Sequence, residues 1–290
     1  MALGIFARTY ARPSLEAALD AVRADGLDWV QLNLASAGLP TVPETIPPEL
    51  GEHMRRALAE RGLRAAGLSG TINLIHPDAG QLADAVRRLR GLISAGPSLG
   101  ATLVTLCTGS RDPANMWRRH PDNDTPEAWA DLLAVLEALL PAAEAAGVTL
   151  GVEPEPANVI RDAPLARRLL DEVRSPGLKI VFDGANLVAG RPREAATETL
   201  AEAAELLGAD VVSAHAKQLN AAGQEVPPGD PSGVLDYDVY LSVLHGMGYA
   251  GPLVLHGLPE DAVADSVRFL WEKLADTSPP RREGTTNTKG

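Results

Sequence analysis

Short apolar runs alternate with longer segments of helical period along almost the whole chain, the pattern expected of repeated βα units around a parallel sheet. Eight runs are predicted as strands: LGIFA (3–7), DWVQLNL (28–34), LRAAGLS (63–69), ATLVTLC (101–107), VTLGVE (148–153), LKIVFD (178–183), DVVSAH (210–215) and PLVLHG (252–257). Eight segments of helical period follow them, from SLEAALDAVRAD near the start to EDAVADSVRFLWEKLAD near the end. Gly26, Gly62, Gly100, Gly147, Gly177, Gly208 and Gly248 fall where a left-handed helix C-terminus or the turn after it is expected. Ser14, Thr125, Asp162 and Asp236 are predicted N-caps. Eight strands and eight helices in strict order predict an α/β fold, a single (β/α)8 TIM barrel, rather than an open doubly wound sheet, and no GxGxxG follows the first strand. The barrel is expected to occupy residues 1–276. Residues 277–290, TSPPRREGTTNTKG, are polar and lack apolar period, and are expected to form a disordered C-terminal tail.

Composition narrows the partners. The 290 residues carry 26 basic and 38 acidic side chains, a formal charge of −12, which repels polyanions. The arginines are scattered at helical positions such as Arg55, Arg56, Arg87, Arg88, Arg167 and Arg168 and read as solvated faces, so nucleic acid is not an expected partner. A single cysteine, Cys107, excludes an intrachain disulfide framework. The first residues hold no apolar stretch long enough for a signal peptide, and no run of about 18 apolar residues could span a membrane, so a cytoplasmic protein without a membrane partner is expected. Aromatic residues make up 4%, so the core must be aliphatic.

In a barrel of this kind the reacting groups gather where the strands end. Four consecutive strands close an apolar run with a polar residue: Glu153, Asp183, His215 and His256. Two carboxylates and two imidazoles at one barrel mouth make a mixed oxygen and nitrogen site for one divalent ion. Lys217, two beyond His215, shares its face if the strand continues, and could hold a substrate oxygen or exchange a proton; a solvated loop lysine is the alternative. Glu155 lies just past Glu153 and is either a second carboxylate at the mouth or a structural cap. In the first half of the chain Gln31 and Asn33 face one side of strand two, and Asn33 is the expected sugar-hydroxyl contact. Asn73 and His76 follow strand three, and His76 is the expected substrate contact. The long segment 108–125 after strand four reads as a lid, with Arg111 an anchor and Trp117 an apolar face against a sugar ring, or else packed beneath the loop. His53, His120 and His245 receive no role.

The segments GVEPEPANV, KIVFDGANLV, VVSAHAKQL and PSGVLDYDVYLSVLHGMGYAGPLVLHG resemble the second half of the xylose isomerase-like TIM-barrel superfamily, in its sugar-phosphate isomerase/epimerase group. The resemblance implies that Glu153, Asp183 and His215 bind one divalent ion, commonly Mn, Co, Mg or Zn, and that the chain forms dimers or tetramers as relatives often do. Two positions depart from the family pattern. Epimerases of the group usually place a second metal-binding Glu at the end of strand eight, where this chain has His256, so His256 is a fourth ligand, a base, or neither. Many relatives carry a substrate-contacting His where this chain has Asn186, which donates a hydrogen bond but does not titrate. The DNA-repair branch, which needs a His-rich multi-zinc cluster, is excluded by these departures and by the charge.

The leading expectation is a divalent-metal-dependent isomerase or epimerase of a small keto-sugar or related polyol carbonyl compound, working through an enediolate. Glu153 is the expected base, with His256 or Lys217 returning or relaying the proton. The alternative is a lyase of the same superfamily, similar to inosose dehydratases or to enzymes that eliminate from keto-glycosides. A barrel that has lost its metal and serves as a binding protein is the reading from a different class. A phosphorylated substrate is not expected, since the loops after strands seven and eight lack a glycine-rich cradle.

Overall fold

Each apolar run predicted as a strand forms one, and the eight close into a parallel barrel in the computed structural model, which describes residues 1–276, with the backbone alone at Arg193. The predicted tail, 277–290, lies outside the described residues. The barrel strands are β1 Leu3–Phe6, β2 Trp29–Leu32, β3 Arg64–Ser69, β4 Leu103–Cys107, β5 Thr149–Glu153, β6 Leu178–Asp183, β7 Val211–Ala216 and β10 Leu253–Leu255. Around the barrel they stand in the order β1-β10-β7-β6-β5-β4-β3-β2. Two short strands, β8 Gln218–Leu219 and β9 Glu225–Val226, form an antiparallel hairpin after β7; at two residues each they leave no apolar period in the sequence. The helices are α1 Leu15–Ala24, α2 Pro48–Glu60, α3 Ala79–Ala95, α4 Pro126–Ala146, α5 Ala163–Val173, α6 Gly184–Val188, α7 Arg193–Leu207, α8 Tyr237–Gly246 and α9 Val263–Asp276. The single turn of α6 is too short to show helical period.

Strands β4 and β10 are buried at every residue, as expected when one face meets the helices and the other fills the barrel. The core is aliphatic and continuous: Leu150, Val152, Ile180, Leu253 and Leu255 of the strands join Leu136, Leu139, Leu169 and Leu241 of the helices in one buried cluster. Ser14, Thr125, Asp162 and Asp236 each accept a backbone N–H from the first turn of α1, α4, α5 and α8, as predicted. Gly26, Gly62, Gly100, Gly147 and Gly248 are left-handed, whereas Gly177 lies in the turn after α5 and Gly208 caps α7 at φ −52°, both without positive φ. After α5 the left-handed position is taken by Arg174 at φ 53°, where the chain turns before Gly177 is reached.

Parallel register sets the height of the strand ends. Asp183 pairs with His215 across β6 and β7, His215 with Val254 across β7 and β10, and Cys107 with Glu153 across β4 and β5. Neighbouring strands lie about 4.8 Å apart, so residues in register at the rim bring their side chains together without any long reach. Among the described residues no helix is long and apolar enough to cross a membrane.

Candidate functional site

The four polar strand-end residues converge. One ligand atom from each of Glu153, Asp183, His215 and His256 lies within 4.8 Å of all the others. Asp183 and His215 are wholly buried and Glu153 nearly so. Asp183 is oriented by the chain that follows it, because it is the N-cap of α6 and its Oδ1 accepts the Asn186 N–H at 3.1 Å. That leaves Oδ2 facing His256 Nε2 at 3.1 Å and His215 Nδ1 at 3.7 Å. His215 Nδ1 also lies 3.3 Å from Glu153 Oε1. The ring of His256, one residue beyond β10, stacks on Phe6 at 4.7 Å, and the two imidazoles meet edge to face at 4.5 Å. From below, the Tyr240 hydroxyl lies 2.9 Å from the carbonyl oxygens of both Phe182 and His215, tying the ends of β6 and β7 to α8. This packing requires Gly184, since a Cβ there would come within 2.7 Å of Tyr240 Cε2.

A polar chain continues from the cluster. Asn186 Nδ2 donates to Glu153 Oε1 at 2.9 Å, and Lys217 Nζ donates to Asn186 Oδ1 at 3.0 Å. Lys217 also faces Glu225 of the hairpin at 3.6 Å. The crowding of charges moves the titrations. Burial opposes a charged His215, but the carboxylates of Glu153 and Asp183 outweigh it and push its pKa up to about 9. Burial would also raise Asp183, yet hydrogen bonds from both imidazoles and the charge of Lys217 hold it well below the usual carboxylate range. His256 is held below its ordinary value by burial and by the neighbouring His215. Glu155 is pushed up to about 8 by burial and then by the charge of Glu153, while Lys217 is raised, burial being outweighed by Glu155, Asp183, Glu153 and Glu225. Burial, with Glu153 and Glu155 adding to it, raises the Cys107 thiol well above its usual value. One buried and one partly buried imidazole, with two buried carboxylates, converge on one point and are the donor set of a divalent ion, so the residues present fit such an ion.

Above the cluster opens a cavity of about 890 Å³, within the range that holds a small molecule. Glu153, Glu155, Asn186, Lys217, His256 and Trp117 all line it. Trp117, in the segment after β4, is 50% exposed on the cavity wall and is not packed beneath its loop. That loop is held by an internal pair, Asp112 with Arg118, and by the segment after β5: the Gly109 N–H donates to Asn158 Oδ1 at 2.7 Å, and Asn123 Nδ2 donates to the Ala157 carbonyl at 2.9 Å.

Asn33, His76 and Arg111 do not line the cavity. The reason is the same for all three: local structure uses their polar atoms. Strand β2 ends at Leu32, and Asn33 opens a turn in which its Oδ1 accepts from the Ala35 N–H at 2.9 Å and from Thr41 Oγ1 at 3.1 Å. His76 Nδ1 accepts the Asp78 N–H at 3.1 Å, and its Nε2 faces the Pro113 carbonyl at 3.3 Å. Arg111 donates to the Ile75 carbonyl at 3.1 Å and pairs with Asp131 of α4. Gln31, which shares the face of strand two with Asn33 in the sequence pattern, does line the cavity, and the wall also holds residues not singled out from the sequence, including Phe6, Arg8, Thr105 and Glu225. Phe6 ends β1 but is apolar, so a search for polar strand ends passes over it, and Glu225 arrives only through the hairpin.

A model of the xylose isomerase-like TIM barrel family matches residues 19–273. Solved structures share the fold. The 3-keto-D-glucoside 4-epimerase from E. coli is 17% identical, with 94% of this chain and 99% of that chain covered and a TM-score of 0.73. A xylose isomerase-like TIM barrel protein from Mycobacterium smegmatis in complex with magnesium is 20% identical, covering 90% and 88%, with a TM-score of 0.68. The IOLI protein with a binding zinc atom is 17% identical, covering 95% and 97%, with a TM-score of 0.70. No curated protein matches the sequence. The family match spans nearly the whole barrel, and the chain belongs to the xylose isomerase-like TIM-barrel family, a superfamily of metal-dependent sugar isomerases and epimerases.

Proposed function

We propose that this protein is a divalent-metal-dependent isomerase or epimerase of a small keto-sugar or related polyol carbonyl compound. The observation that carries the reading is the convergence of Glu153, Asp183, His215 and His256 within 4.8 Å at the floor of the cavity. Solved neighbours that hold zinc or magnesium, and one that epimerises a keto-glucoside, support it. An ion held by these four residues would polarise a substrate carbonyl and acidify the adjacent C–H. Glu153 would take that proton, a role supported by its position on the cavity wall and by the hydrogen bond from Asn186 that orients its Oε1. Lys217, held by Asn186, presents a positive charge toward the enediolate that forms. Lys217 would then return the proton, or His256 where its imidazole is not a ligand of the ion. Trp117, Glu155 and Asn186 shape the space around the substrate.

One observation favours elimination as a second reading. The end of β10 supplies an imidazole whose Nε2 is engaged by Asp183 and whose ring is stacked on Phe6, so no carboxylate there serves the opposite face of the substrate. A lyase needs only the first proton abstraction and a leaving group, and product mass separates the two outcomes.

The test is the metal content of purified protein, measured by elemental analysis for wild type, Asp183→Ala and His256→Ala. Near-stoichiometric metal in wild type and none in Asp183→Ala is expected, and its retention or loss in His256→Ala decides whether that imidazole is a ligand. A wild type that takes up no ion when one is supplied overturns both reactions.

A further inference from the structure

The cationic side chains of the cavity are not equivalent. Lys217 is engaged with Asn186, Glu155 and Glu225. Arg8 is the one arginine among the described residues that lines the cavity. Its side chain is exposed, and no hydrogen bond, ion pair or ring contact among the described residues engages it. Arg12, four residues on, is paired with Glu260, and Arg111, Arg118 and Arg119 of the loop after β4 are each paired with a carboxylate.

The backbone that carries Arg8 is fixed. Ala7–Thr9 forms a 3-10 turn closed by the Tyr10 N–H on the Ala7 carbonyl at 3.2 Å. The Tyr10 hydroxyl is hydrogen-bonded to Asp25, and the Arg12–Glu260 pair anchors the next stretch to the segment after β10. Two residues before Arg8, Phe6 stacks on His256. A free guanidinium thus stands on a rigid turn that begins beside the candidate metal cluster. A planar fork with five donors matches a carboxylate bidentately, and leaving it unpaired at the wall of a substrate cavity gives it no role within the chain.

Building on the sugar isomerase reading above, we infer that the substrate carries an anionic group and that Arg8 binds it as a carboxylate, which makes the substrate class a sugar acid rather than a neutral keto-sugar. A phosphate fits less well. Barrel phosphate sites use glycine-rich backbone and a helix N-terminus, whereas the turn after β10 opens with two acidic residues, Glu260 and Asp261. Glu260 is neutralised by Arg12 and leaves Arg8 unopposed.

The test is isothermal titration calorimetry on the full chain, metal-loaded and metal-free, with D-glucuronate and D-galacturonate against D-glucose and D-galactose, pairs that differ only at C6, and with D-glucose 6-phosphate as a third arm. In wild type the sugar acids are expected to bind at least about tenfold more tightly than their parent sugars, as a charge-assisted bidentate contact supplies. Arg8→Gln should abolish the difference and Arg8→Lys should keep part of it, with melting curves unchanged because the side chain is exposed. Equal binding of acid and parent sugar, binding of neither, or a preference for the acid that survives Arg8→Gln overturns the proposal. Tighter binding of the phosphate than of the carboxylates overturns the choice of carboxylate. The metal-free titrations keep this result separate from the proposed reaction: absence of metal from wild type sinks the isomerase, while the Arg8 dependence is read without it.

Discussion

Asn186→Ala isolates the link between Glu153 and Lys217. The substitution leaves the backbone N–H on Asp183 Oδ1 in place, so the cap of α6 survives. It removes the hydrogen bond to Glu153 Oε1 at 2.9 Å and the one from Lys217 at 3.0 Å. Hydrogen bonds to charged groups are each worth about 1.5–3 kcal/mol, but only part of this bears on metal affinity, because Lys217 keeps its attraction to Glu155 and Glu225. What the ion loses is the orientation of one ligand. Removing such a supporting partner typically costs about 10–100-fold in affinity, or about 1.4–2.7 kcal/mol. The assay is competition for Zn or Mn against a chromophoric chelator at fixed pH, with melting curves in chelator to show that the metal-free variant is folded. A folded variant that binds metal within about threefold of wild type would refute the claim that Asn186 positions Glu153.

Three further outcomes are expected. In the metal-free protein His215 keeps its proton up to about 9, against about 6.5 for an unfolded chain; its stabilising contribution is therefore full below the unfolded value and lost as pH rises through the folded one. Metal binding needs the neutral ring, so uptake at pH 7.5 should release a proton, and apparent affinity should rise roughly tenfold per pH unit on the way up. Calorimetry in buffers of different ionisation enthalpy checks this, and proton-neutral uptake would count against it. Gly109→Ala forces φ 81° on an alanine and drives its Cβ into Asn73 Oδ1, an acceptor for the Ser110 and Ile75 N–H groups. A loss of at least about 2 kcal/mol in denaturant titration is expected, from left-handed strain together with a broken bridge; an unchanged midpoint would show that the loop relaxes freely. Tyr240→Phe strips the hydroxyl from the buried carbonyls of Phe182 and His215, which should cost about 1–3 kcal/mol of stability and lower metal affinity as well. A loss of stability with metal affinity intact would confine Tyr240 to the fold.

The legibility of the site follows from where each residue gets its partners. Glu153, Asp183 and His215 were readable because each closes an apolar run, and in a parallel barrel the runs end on one rim. Asn33, His76 and Arg111 looked equivalent in the sequence, being polar residues just past a strand, yet the turns that follow take up their hydrogen-bonding capacity. Asn33 caps a turn with the Ala35 N–H, and Arg111 is clamped by Ile75 and Asp131. Nothing in a linear pattern distinguishes a polar side chain used locally from one aimed into a cavity. Which glycine of a helix end takes the left-handed position is likewise not written in the pattern: Arg174 takes it after α5, so Gly177 serves only in the turn that follows.

The sequence by itself determined the periodicities of apolar positions, and hence the strands, the helices, their alternation and the rim on which chemistry gathers. That information is local, because whether a segment buries one face or two depends on residues a few places apart. Tertiary structure decided which groups meet. Barrel closure between β1 and β10 brings Phe6 onto His256, the hairpin folds Glu225 back onto Lys217, and the turn at Ala7–Thr9 leaves Arg8 unpaired beside them. Whether distant in the chain, as Phe6 and His256 are, or brought round by a short hairpin, these groups meet at distances that exist only once the barrel has closed and excluded water from its mouth.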